Sequence, residues 1–206
     1  LAPFAEALLW AERSMHHWSR GEMNEGAVAA DTGSRLAALH GVRMWDFLLG
    51  ALQTYAYLNH GDTAAGRVAL ARLAKRLDPK RRIDVGHYHY LACLAALLAD
   101  DGAQAVRHGH TTNLIATQYG GPQQHALGRL LYAQALHAVG RTAEAWPLLA
   151  EGHEIASAMR SGILSFQADL CEALLALDTG DDERCLRALR SAFSIGAAHG
   201  YLNHNS

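Results

Sequence analysis

Apolar residues along this chain recur at steps of three and four, the spacing of one face of an α-helix. The segment 127–138 is representative, with Leu127, Leu130, Leu131, Ala133 and Leu136 at these steps. No segment shows the sustained apolar–polar alternation, bounded by turn residues, that is typical of a half-buried strand. The pattern therefore predicts an all-α protein without a β-sheet.

Turn-forming residues interrupt the helical pattern at regular intervals. Glycine-containing turns fall at 19–22, 59–62, 100–102, 139–141 and 179–181. We expect glycine to supply the left-handed residue that ends one helix, and a following Asp or Thr to cap the next. These breaks predict five helix-turn-helix units, covering approximately residues 3–41, 42–79, 80–121, 122–161 and 162–200.

Small residues hold one register through all five units. One column follows each turn, at Gly26, Gly66, Ala105, Ala145 and Cys185, with differences of 40, 39, 40 and 40. A second column has the same differences, at Ser14, Thr54, Cys93, Ala133 and Ala173. Small side chains let paired helices approach closely, and such pairs stack to bury their remaining apolar faces. We predict a single domain, residues 1–206, folded as a right-handed α-solenoid with a period near 40 residues and a concave groove.

The repeat pattern resembles the tetratricopeptide repeat. Units two, four and five carry its small residues and its turn in Asn59-His60-Gly61-Asp62, Ala133…Gly140…Ala145 and Ala173…Gly180-Asp181…Cys185. The period exceeds the usual 34 residues, and this longer form resembles the helical sensor region of MalT-like, LuxR-type bacterial transcription regulators. The closing segment 186–203 is similar to the way such regions end. The resemblance implies a fragment of a larger chain whose ATP-binding and DNA-binding domains lie outside it.

Composition and charge narrow the function classes. A net charge of −2 and a pI near 6.7 provide no general field for nucleic acid or anionic membranes. The longest apolar run, residues 90–99, is far shorter than the roughly 20 residues of a membrane span. The first residues lack the basic segment of a signal peptide, and the three cysteines include no CxxC pair. We therefore expect a cytoplasmic protein without a disulfide framework.

Candidate chemistry is sparse. No GxSxG, HExxH or phosphate-loop motif is present, and the chain is not expected to be an enzyme or to hold a cofactor. The pairs His87/His89 and His108/His110 lie two residues apart, a spacing that turns the imidazoles to nearly opposite faces of a helix and argues against metal binding. Asp169 and Glu172 lie three residues apart on one predicted helix and are interpreted as solvated-face or capping residues, with paired acid–base work as the alternative.

Two further groups of residues are interpreted as structural or solvent-exposed, without a functional role. Cys93 and Cys185 read as buried structural thiols. A basic run is interpreted as a solvated helix face followed by a charged loop, with docking of an acidic partner as the alternative; it comprises Arg67, Arg72, Lys75, Arg76, Lys80, Arg81 and Arg82.

The predicted groove supplies the candidate binding residues. If the tetratricopeptide register holds, an aromatic and amide-rich set of side chains faces the concave surface: Met15, Trp18, Tyr55, Asn59, His87, Tyr90, Gln134, His137, Gln167 and Asp178. Aromatic faces beside a few polar groups are typical of small-ligand and peptide sites. The alternative is that these side chains only pack neighbouring repeats together.

We therefore expect a non-catalytic sensor module that binds a small effector, or a peptide or protein partner, in its groove. The alternative is a stand-alone protein–protein interaction scaffold unrelated to transcription. Neither alternative involves direct nucleic-acid binding by this segment or a membrane, and both allow oligomers through the solenoid ends.

Overall fold

The chain is all-helical in a computed structural model that describes residues 2–201. Within this range there are ten helices and no strands: α1 (Pro3–Ser19), α2 (Met23–Leu39), α3 (Asp46–Asn59), α4 (Thr63–Ala74), α5 (Arg82–Leu98), α6 (Gly102–Tyr119), α7 (Pro122–His137), α8 (Thr142–Ala158), α9 (Gly162–Asp178) and α10 (Asp182–His199). The predicted all-α class without a β-sheet is confirmed for this part of the chain. None of its helices is long and apolar enough to cross a membrane.

The described residues divide into two compact units, with the boundary inside α5. In the N-terminal unit, residues 2–91, α2 contacts α1 and α3, α3 contacts α4, and α1 also touches α3. In the C-terminal unit, residues 92–201, each helix from α6 to α10 contacts the next, and α7 also touches α9. Both sets of contacts fit a helical repeat arrangement.

Aspartate side chains begin three of the second helices, as the turn chemistry predicts. Asp62, Asp101 and Asp181 each accept a hydrogen bond from the backbone N–H three residues later, at 2.9, 3.0 and 3.0 Å. Each carboxylate satisfies a donor that the first helical turn leaves unpaired.

The middle turn differs from the prediction that glycine supplies its left-handed residue. Glycine does so at residues 21, 61, 140 and 180, but at 100–102 the positive φ, 57°, belongs to Asp100. Aspartate tolerates this conformation better than most residues. Gly102 instead begins α6, where an added Cβ would lie 2.5 Å from Cγ1 of Val139, so close approach explains that glycine.

Both columns of small residues are buried at all five positions. The columns also meet directly, since Ser14 Oγ donates to the carbonyl of Gly26 at 2.8 Å and the Cys93 thiol donates to that of Ala105 at 3.2 Å. A larger residue in place of any of these would push the paired helices apart.

Aliphatic and small side chains dominate the two cores. In the C-terminal unit Leu130, Leu136, Leu149 and Leu175 pack around Cys171, whereas small residues and Leu49 form the equivalent cluster of the N-terminal unit. All three cysteines are buried and free, which confirms the structural interpretation of Cys93 and Cys185. Burial raises the pKa of the Cys93 and Cys171 thiols to about 12, so both stay protonated and unreactive.

Candidate functional site

Three predicted groove residues form a continuous row of rings in the N-terminal unit. Trp18 on α1 meets Tyr55 on α3 edge-to-face, with ring centroids 5.0 Å apart and planes at 77°. Tyr55 in turn stacks on Tyr90 of α5, with centroids 6.4 Å apart and planes at 26°. We call these three residues the aromatic row. Each ring comes from the first helix of a predicted repeat.

Two polar groups of the aromatic row, the Tyr55 phenol and the Trp18 indole N–H, are shielded from solvent. Burial raises the pKa of Tyr55 above its ordinary value, so this phenol stays neutral and can only donate or accept a hydrogen bond. A hydrogen-bonding interaction with the Trp18 indole N–H opposes this rise, although its geometry falls short of an aligned hydrogen bond and the N–H is shielded from solvent. A ligand oxygen that met this N–H in better alignment would strengthen its hydrogen bonding.

Polar predicted residues flank the aromatic row on the same helices. Asn59 donates from Nδ2 to the carbonyl of Tyr55 at 2.9 Å. Burial lowers the pKa of His87, one turn before Tyr90, and the nearby Asp84 carboxylate only partly offsets this effect. Met15, one turn before Trp18, is half-buried. The Asp84 carboxylate is itself paired with Arg81, whose Nε lies 2.9 Å from its Oδ2.

The predicted residues of the C-terminal unit make a different arrangement. His137 accepts or donates at both nitrogens, with Nε2 2.8 Å from Asp178 Oδ2 and Nδ1 2.8 Å from Thr142 Oγ1. Gln134 hydrogen-bonds the Cys171 thiol. Asp178 is exposed, and Oε1 of Gln167 is buried without a hydrogen-bond partner. Here the structure brings His137 and Asp178 together as a link between α7 and α9, and it pairs Gln134 with the core.

Comparisons of the chain with protein-family models, with curated proteins and with solved structures found no match.

A three-residue cluster that the sequence interpretation missed lies between α8 and α9. His153 Nδ1 is 3.9 Å from Asp169 Oδ1, and His153 Nε2 is 3.0 Å from Glu172 Oε2. One donor atom from each residue lies within 4.8 Å of the other two, and no other such group of three occurs in the part of the chain that the structure describes. The interpretation of Asp169 as solvated is wrong, because only 9% of this residue is exposed.

Neighbouring groups hold both carboxylates of this cluster. Arg184 on α10 donates from Nε to Glu172 Oε1 at 2.6 Å, and its guanidinium lies over the Trp146 ring, 3.9 Å from the centroid. Burial raises the pKa of Asp169; a hydrogen bond from Ser191 and the nearby His153 oppose the rise, whereas Glu172 adds to it. The cluster is thus an ordered, partly desolvated pair of carboxylates facing one imidazole.

The HxH histidines contribute to no such cluster within residues 2–201. His87 and His89 lie inside α5, and His108 and His110 lie inside α6, so each pair points to nearly opposite helix faces. The seven residues of the basic run are all exposed, and Arg81 Nε pairs with Asp84 Oδ2 at 2.9 Å, which fits the solvated-face interpretation.

One open depression of about 520 Å³ lies between α1 and α2, away from the predicted groove residues. Its lining includes Trp10, Arg13, His16 and Glu25, and the Arg13 guanidinium covers the Trp10 ring at 4.7 Å. The Arg13 guanidinium, which lines this depression, therefore already makes a cation–π contact.

Proposed function

We propose that this chain is a non-catalytic binding module whose aromatic row contacts a small effector or a peptide. The five helix pairs, in this proposal, are repeats of about 40 residues in a right-handed α-solenoid, and the row lies on its concave surface. The main support for this proposal is that Trp18, Tyr55 and Tyr90 come from the first helices of three successive repeats and still contact one another ring to ring.

The chemistry of the row defines the ligand class. Ring faces bind planar or apolar groups by dispersion and by their quadrupoles. The Trp18 N–H, whose contact with Tyr55 falls short of an aligned hydrogen bond, favours a ligand that also presents an acceptor, such as a carbonyl oxygen. The polar residues that flank the row, Asn59 and the His87 whose pKa burial lowers, offer no fixed charge at neutral pH, which favours an uncharged ligand. We therefore favour a neutral, partly aromatic molecule or peptide side chain.

The setting of this module, we propose further, is a cytoplasmic bacterial transcription regulator. Support comes from the tetratricopeptide-like small-residue columns, which are buried at all ten positions, and from the similarity of the closing segment to the ends of MalT-like sensor regions. Ligand binding would act by favouring one of two packings of the helix pairs. A scaffold that takes an extended peptide is the second candidate, since the row runs across three helices.

Ligand screening on matched variants tests the binding proposal. Thermal shift assays would use a broad set of metabolites and short peptides, and each hit would be measured again on Trp18→Leu and Tyr119→Leu. Tyr119 is an exposed ring at the end of α6 and serves as the control. We expect hits to stabilise the wild-type and the control but not Trp18→Leu. Hits that stabilise Trp18→Leu as well as the wild-type would contradict the assignment, and hits confined to peptides would favour the scaffold.

A further inference from the structure

We propose that His153, Asp169 and Glu172 form a binding site for one divalent transition-metal ion, with Zn²⁺ the best fit. This site lies in the C-terminal unit, and its existence does not depend on the function proposed for the aromatic row.

The donor set and its spacing suit such an ion. Zn²⁺ binds imidazole nitrogen at about 2.0–2.1 Å and carboxylate oxygen at about 2.0–2.2 Å, which sets neighbouring donors roughly 3.3–3.5 Å apart in a tetrahedron. The three donor atoms here lie within 4.8 Å of one another. Small side-chain rotations therefore bring them around a common ion, without any movement of α8 relative to α9.

The hydrogen bonding of His153 is incomplete in a way that favours a ligand. Its Nε2 is shielded from solvent and lies 3.0 Å from Glu172 Oε2, yet the two atoms are not aligned as a hydrogen bond. This nitrogen is therefore buried next to a carboxylate without a directed partner. A metal ion held by both atoms would use the nitrogen lone pair and neutralise the carboxylate.

Charge balance also leaves room for a cation. With a neutral imidazole the cluster carries two negative charges, and one of them, on Asp169, is nine-tenths buried. The nearby fixed cation, Arg184, bonds Glu172 and not Asp169. A buried carboxylate without a paired charge is costly, and a dication would compensate both carboxylates at once.

Surrounding residues orient the proposed ligands as outer partners do in metal sites. Arg184 occupies Oε1 of Glu172 and leaves Oε2 directed to His153. Trp146 holds the guanidinium of Arg184 from its other side, and Ser191 hydrogen-bonds Asp169. Three protein ligands leave at least one coordination position for water, so this is an open site and not a closed structural one.

A metal-free explanation makes a different prediction. A protonated His153 would bridge the two carboxylates as a simple ion pair, and the cluster would then only fasten α8 to α9. In that case added metal would have no specific place to bind.

Titration of the metal-stripped full chain separates the two explanations. Calorimetry with Zn²⁺ and visible spectroscopy with Co²⁺ would be run on the wild-type, His153→Gln, Glu172→Gln and Asp169→Asn. The control is His125→Gln, which removes a histidine of α7 that contacts the carbonyl of Gly120. Circular dichroism identifies which variants fold, and two of the three ligand variants alter side chains that are partly exposed.

We expect one equivalent of metal per wild-type chain, with a Co²⁺ absorption band typical of four or five ligands and a higher unfolding midpoint. Each folded ligand variant should lose more than about 100-fold in affinity, beyond the 10- to 100-fold effect of an outer partner, while His125→Gln binds like the wild-type. Absence of stoichiometric binding to the wild-type would overturn the proposal. Unchanged binding by His153→Gln and Glu172→Gln would overturn it too, because the ion would then sit elsewhere.

Discussion

At the scale of single residues, hydrogen-bond satisfaction separates binding candidates from residues that hold the fold together. His137 is engaged at both ring nitrogens, by Asp178 and Thr142, so it has no free polar atom for a ligand. The indole N–H of Trp18 is buried, and its interaction with the Tyr55 phenol falls short of an aligned hydrogen bond. Of these two predicted groove residues, Trp18 is therefore the better ligand contact, and His137 acts as a connection between α7 and α9.

The pKa of His87 makes the stability of the fold depend on pH. Burial lowers this pKa in the folded state, so the unfolded chain binds a proton more readily. The free energy of unfolding should therefore fall as the pH drops through about 6.5, the ordinary value for histidine, and level off below the lowered folded pKa. We expect His87→Gln to show a smaller loss of stability between pH 7 and pH 5 in urea titrations.

The exposed His60 provides the control for this measurement. His60→Gln should keep the pH dependence of the wild-type. An equal pH dependence in His87→Gln and the wild-type would show that His87 is not the group responsible.

At the scale of helices, the small-residue columns determine how closely partner helices approach. Ala145 is fully buried in α8, so Ala145→Leu should force the neighbouring helices apart and lower the free energy of unfolding by about 1–3 kcal/mol. Ala143 lies two residues earlier on the same helix and is exposed. Ala143→Leu, the control, should change stability by less than about 0.5 kcal/mol in the same denaturant titration.

Equal stabilities of these two leucine variants would contradict the assigned packing of α8. The comparison is informative because the two substitutions add the same side chain to the same helix and differ only in the face that carries it.

Helix caps give an independent check on the turns between helices. Asp62 accepts a hydrogen bond from the N–H of Ala65 at the start of α4. Asp62→Ala should lower the free energy of unfolding by about 1 kcal/mol, whereas Asp31→Ala, which removes an exposed ion pair with Arg35, should have a smaller effect. Thermal unfolding followed by circular dichroism measures both, and a larger loss for Asp31→Ala would argue against the cap.

At the scale of the whole molecule, local spacing predicted helices well and contacts between helices only in part. Buried columns at regular positions were predictable because close helix packing requires small residues such as Ser14 and Ala145. Asp100 was missed because glycine is the usual residue at a positive φ, whereas the glycine of this turn, Gly102, begins α6. A spacing rule within one helix could not find His153, since its contacts with Asp169 and Glu172 depend on how α8 lies against α9.

The predicted groove illustrates the same limit. The structure brings Trp18, Tyr55 and Tyr90 together although they occupy different positions of the repeat, respectively four after, one after and three before the small residue of each first helix. The register also assigned Gln134 and His137 to the groove, although their side chains form hydrogen bonds within the C-terminal unit. The sequence pattern thus predicts which positions are adjacent, whereas the hydrogen-bond partner of each polar atom can be identified only from the three-dimensional structure.

The central claim, that the aromatic row contacts the ligand, is tested most directly by NMR of the tryptophan indole groups. The chain has four tryptophans, and the spectrum of Trp18→Phe identifies the Trp18 indole N–H among their signals. Addition of a ligand from the thermal screen should shift the Trp18 signal strongly, because its N–H gains a better-aligned acceptor, and should leave Trp146 unchanged. A bound ligand that moves other indole signals while that of Trp18 stays in place would contradict the account.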